Sequence, residues 1–85
     1  MGMWFVLADG TKEWLSEAEV DALCDVLWSS HEKGAVSIVG KIVHERRRPP
    51  ALQARVKISD GESHAFRSAL DHARHQRGLY HVSGE

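Results

Sequence analysis

The sequence predicts a small α+β domain: a three-stranded antiparallel sheet with two or three helices packed on one face. Three observations carry that reading. Asp9-Gly10 stands between two β-prone runs, a capping-box spacing twice precedes an apolar stretch of helical period, and Leu52 to Ile58 alternates apolar with polar. The chain of 85 residues, 42% of them hydrophobic, has room for one core and the composition of a folded polypeptide. Residues 1–78 are expected to form that single domain, and 79–85 a disordered tail.

The first strands are Trp4-Phe5-Val6-Leu7-Ala8 and Thr11-Lys12-Glu13-Trp14-Leu15. They form a hairpin because a tight turn of this hand needs positive φ, which Gly10 supplies. Ser16 and Glu19 then have capping-box spacing, and Leu15 and Val20 sit where a hydrophobic staple places them. A helix is predicted from about Glu17 to Ser29. Val20, Leu23 and Leu27 share its apolar arc, Cys24 lies beside them, and Trp28 borders the arc. Glu17, Asp21 and Asp25 line an acidic, solvated stripe.

His31-Glu32-Lys33-Gly34 reads as a linker. Residues 35–48 carry two signals. Val36, Ile38, Val39, Ile42 and Val43 are β-branched, which favours a strand. The apolar positions 35, 38, 39, 42 and 43 nevertheless trace a helical face. Periodicity favours a helix over about 35–47, with a strand as the alternative, and Pro49-Pro50 ends either. Residues 52–58 form the third predicted strand, with 52, 54, 56 and 58 inward and Arg55 and Lys57 outward. Ser59 and Glu62 repeat the capping-box spacing, and a helix from about Asp60 to Gln76 follows, its apolar face made by Ala65, Phe66, Ala69, Leu70 and Ala73. Gly78 is its expected stop. Placing Ser16 on Ser59 sets Glu19 on Glu62, Leu23 on Phe66 and Leu27 on Leu70, so a strand leading into a capped helix occurs twice.

Charge is polarised along the chain. Residues 1–32 hold one base, Lys12, against seven acids, a net −6, while residues 33–85 hold ten bases against five acids, a net +5. Such halves neutralise each other within the domain, or meet a second copy or another partner. The densest run is His44-Glu45-Arg46-Arg47-Arg48-Pro49-Pro50.

The residue types argue against several chemistries. One cysteine forms no internal disulfide, and Cys24 among acids on an inward helix face reads as structural. No apolar run approaches the ~20 residues that cross a bilayer, and the N-terminus lacks the form of a secretory signal, so a cytoplasmic location is expected. The six histidines, His31, His44, His64, His72, His75 and His81, lack zinc-ligand spacing, and Asp71 with His75 reads as an i,i+4 pair. No nucleophile elbow and no phosphate-binding glycine loop occurs. No catalytic residue, metal or cofactor is therefore expected. The run Val6 to Thr11 followed by Leu15 to Glu19 resembles the opening of many small bacterial proteins, but it is generic hairpin and cap chemistry and implies no function.

What remains is the exterior. The leading expectation is a small non-catalytic protein-interaction module, self-associating as a homodimer. Trp28, Trp4 and Trp14 would anchor the contact, and Glu17, Asp21 and Asp25 would meet Arg46, Arg47 and Arg48. The alternative is a nucleic-acid-binding accessory protein that sets Arg46, Arg47, Arg48, Arg55 and Lys57 against phosphates. No aromatic stacking platform is evident beside those bases in the sequence.

Overall fold

The computed structural model describes residues 2–76. Strands β1 (Met3–Leu7) and β2 (Lys12–Leu15) lead into helices α1 (Glu17–Trp28) and α2 (Ala35–Arg46), then strand β3 (Val56–Ile58) and helix α3 (Ser63–Gln76). The domain is α+β with three helices. Gly78 and the tail at 79–85 lie outside the described residues.

The sheet has the order β2-β1-β3 and is mixed rather than antiparallel: β2 is antiparallel to β1, but β3 runs parallel to it. Direction follows from parity. With short connections each element reverses the one before, so two helices between β2 and β3 return the chain in the sense of β1. The third strand is also shorter than the alternation over 52–58 predicts. Pro49-Pro50 seeds a 3-10 turn at Pro50–Leu52, in which Leu52 N–H donates to the Pro49 carbonyl. Ala54 N–H then donates to the Glu45 carboxylate at 2.6 Å rather than to a strand. Leu52 is left 59% exposed.

Both capping boxes form. Glu19 N–H donates to Ser16 Oγ while Ser16 N–H donates to a Glu19 carboxylate oxygen, and Ser59 and Glu62 exchange the same pair. Helix α3 begins after a 3-10 turn at Asp60–Glu62 rather than at residue 60 itself. The helical face prevails over 35–46 despite its β-branched residues, because Ala35, Ile38, Val39 and Ile42 bury together. Those side chains join Phe5, Leu7, Leu15, Val20, Leu23, Leu27, Val56, Ile58 and Phe66 in one core.

The hairpin loop decides which side chains enter that core. Leu7 N–H donates to the Thr11 carbonyl, Gly10 N–H donates to the Leu7 carbonyl, and Gly10 has φ +90°, so three residues, 8–10, make the connection. Met3 then faces Leu15, and Trp4 faces Trp14. A two-residue turn at Asp9-Gly10 would shift the register by one and turn Trp14 toward the core face.

Candidate functional site

The alternation of β1 separates two faces. Met3, Phe5 and Leu7 are buried with Leu15, Val56 and Ile58. The opposite face carries Trp4 and Trp14 as cross-strand partners, and beside them the row Lys12, Val6 and Lys57. Trp4 is 45% and Trp14 50% exposed. The Trp14 indole lies across Gly2, where any Cβ would collide with the ring and with the Leu15 carbonyl, so the glycine sets the tilt of that side chain. Arg55 enters from the edge: with Trp4, Pro50, Gln53 and Ala54 it lines a depression of about 490 Å³. Among the described residues, no carboxylate stands on this face of the three strands, because Glu13 alternates to the other side.

The bases of this face are not neutralised by any described residue. Lys12, Arg55 and Lys57 make no ion pair among the described residues. Arg55 and Lys57 also border a depression of about 520 Å³ between α2 and β3, which His44 and Lys41 line from the helix side. Glu45 lines it too, and Lys41 is held by Glu62, so among the described residues the free cations of this depression are those of β3 and its approach.

The acidic and basic halves of the chain meet largely inside the molecule. Arg67 stands 3.6 Å from Asp9, Arg74 3.3 Å from Glu19, Arg46 2.7 Å from Asp21, and His64 3.2 Å from Glu32. Asp21 and Arg46 of the expected intermolecular pairing thus close on each other in one chain. Arg48 lies 3.6 Å from Glu45, whereas Arg47 is exposed without an ion pair among the described residues. Glu17 and Asp25 stay exposed on α1.

Trp28 occupies a different place, 72% exposed at the end of α1. It borders a groove of about 450 Å³ between α1 and α2, with Cys24, Asp25, Val39, Val43 and Arg46. The three tryptophans are therefore two surfaces, not one. Burial raises the Cys24 thiol above its ordinary value, with Asp21 and Asp25 adding to the effect against Arg46, which disfavours the reactive thiolate. Asp71 and His75 approach to 3.7 Å as an i,i+4 pair, and among the described residues no three potential ligands gather where an ion could be held. Among them too, no helix is long and apolar enough to cross a membrane.

Two buried carboxylates hold the frame under the site; the sequence marks Glu62 only as a capping-box residue and Glu45 not at all. Glu62 accepts from Lys41 Nζ and Ser37 Oγ, each at 2.6 Å, and from Ser59 N–H at 2.9 Å. Burial opposes its charge, but the Lys41 ammonium and the hydrogen bonds from Ser37 and Ser59 prevail and lower its pKa to about 2. Lys41 also donates to the Lys57 carbonyl at 2.8 Å, tying α2 to β3. Glu45 holds the other end of that strand through Ala54.

The residue types hid one part of the site. Lys12 gives no sign of its role until the loop sets the hairpin register, and the same register makes Trp4 and Trp14 neighbours. No family model, curated protein or solved structure matches the chain, so the site is read from its own residues.

Proposed function

We propose that the protein is a non-catalytic interaction module whose working surface is the open face of the sheet. All three helices lie behind the sheet in this reading, and Trp4, Trp14, Lys12, Arg55 and Lys57 face outward. One observation carries it: two half-exposed indoles in cross-strand register share a face with three cations and, among the described residues of the strands, no acid. Apolar rings left in water beside unpaired charges gain most from a partner that covers the rings and supplies negative charge. The face does not suit a second copy of itself, since that would oppose cation to cation. A reducing, cytoplasmic setting fits the lone partly buried thiol.

Heparin tests the reading as a generic polyanion. The protein should be retained on heparin resin despite its net charge of −1. The triple variant Lys12→Glu, Arg55→Glu, Lys57→Glu should flow through, while Arg46→Gln with Arg48→Gln should elute unchanged, because those arginines already face Asp21 and Glu45. Flow-through of the parent protein would overturn the reading.

Self-association is a second reading, carried by the groove at Trp28. Each copy offers a protruding indole and a recess lined by Val39 and Val43. A two-fold contact would seat each Trp28 in the partner's recess. Sedimentation should then give twice the chain mass, and Trp28→Ala one chain mass. A monomer at millimolar concentration removes this reading and leaves the sheet face untouched.

A further inference from the structure

Resting on the sheet face as the working surface, we infer that its occupant is single-stranded nucleic acid. The two indoles stand on neighbouring strands, whose axes are about 4.8 Å apart, and flat aromatic rings on a sheet are stacking surfaces for unpaired bases. Lys12 and Lys57 lie on the strands either side of Val6, about 10 Å apart by two strand spacings, within reach of a backbone that crosses the sheet. Arg55 stands beside Trp4 at the rim and adds a third cation for the phosphates.

The geometry also says which form of nucleic acid. A duplex keeps its bases stacked inside and would meet a flat sheet with phosphates alone, leaving the indoles uncovered. A single strand can place bases on Trp4 and Trp14 while its phosphates meet the lysines. An acidic peptide would satisfy the cations but has no flat rings in regular succession for both indoles. The strand residues of this face offer no side-chain amide, hydroxyl or carboxylate to read a base edge or a 2′-hydroxyl, and Gln53 beside Trp4 donates its Nε2 to the Arg48 carbonyl, so the binding has little sequence preference and takes DNA and RNA strands alike.

The test is anisotropy of labelled dT15 and rU15, with the matching duplex and heparin as competitors. Both single strands should bind, and the duplex should compete at least ~10-fold more weakly, the loss of about one base-stacking contribution. The logarithm of affinity should fall with that of salt with slope about −2, as for three phosphate contacts on a single strand. Trp4→Ala and Trp14→Ala should each weaken binding ~10-fold or more, Trp4→Phe should recover part of it, and Trp28→Ala should leave it unchanged. Far-UV circular dichroism verifies that the variants remain folded. Heparin binding that needs Lys12 and Lys57, with dT15 binding no better than duplex and indifferent to Trp4→Ala, would overturn the inference and leave the polyanion reading standing. Absence of binding to every probe would remove both.

Discussion

Phe66→Ala should leave the chain largely unfolded at 25 °C. Phe66 is fully buried on α3, and its ring centroid lies 5.3 Å from that of Phe5 on β1 at an interplanar angle of 33°. Truncating a buried phenylalanine costs about 3–5 kcal/mol through lost transfer energy and the cavity left behind, and the tilted pair adds about 0.5–1.5 kcal/mol. A single core of this size supplies only about 3–5 kcal/mol of net stability. The variant should show little helical signal by circular dichroism and no cooperative urea transition. A cooperative transition with stability within about 1 kcal/mol of the parent would show that α3 is not held as described, since mutational losses this small belong to surface sites. The position of Trp4 depends on this contact, because Phe5 is its inward neighbour on β1.

Glu62 should be the second most sensitive position, and it gives the protein a defined response to acid. Its folded-state pKa of about 2 lies below the ordinary 4.5. A depressed carboxylate contributes stability that is present above the unfolded value and lost as pH falls through the folded one. The window therefore runs from about pH 5 down to pH 2, and the loss is on the order of 3 kcal/mol at 1.36 kcal/mol per unit. Glu62→Gln should be destabilised by a similar amount at pH 7, and its stability should change less across that window. Glu62→Ala should lose more, about 3–5 kcal/mol, because the capping box also breaks and Lys41 keeps only the Lys57 carbonyl. Urea midpoints at pH 2.5, 4 and 7 compare them. Parallel pH profiles for the parent and Glu62→Gln would contradict this role.

What could be read from the sequence was local. The cap at Ser16 and Glu19, the apolar arcs of α1 and α3 and the helical face over 35–46 depend on residues three or four apart, and chain chemistry over that distance is nearly sufficient. The repeat of strand and capped helix is also real in space: β2 and β3 flank β1 in opposite directions, and each leads into a capped helix. Long-range choices were hidden. Parallel pairing of β3 depends on how many elements intervene, and the end of the predicted strand at Leu52 depends on Glu45 claiming Ala54 from nine residues away. Ser37 and Lys41 carry no signal as an i,i+4 pair until Glu62 arrives between them.

The candidate site was legible in part. Arg55 and Lys57 were visible as an outward strand face, and the tryptophans as aromatic anchors. Their assembly was not, because it turns on a single residue of loop length between Leu7 and Thr11. Charge was the misleading signal. The run at residues 46–48 looks like the basic patch, yet Arg46 and Arg48 face carboxylates of their own chain, while Lys12, isolated in an acidic stretch, has no ion-pair partner among the described residues and stands beside Trp14.

The most direct measurement is a proton–nitrogen correlation spectrum of the three indole N–H groups, recorded as dT15 is added. The expected result is progressive movement of the Trp4 and Trp14 resonances with Trp28 stationary. Movement of Trp28 while Trp4 and Trp14 stay in place would put the working surface on the helices and contradict the account.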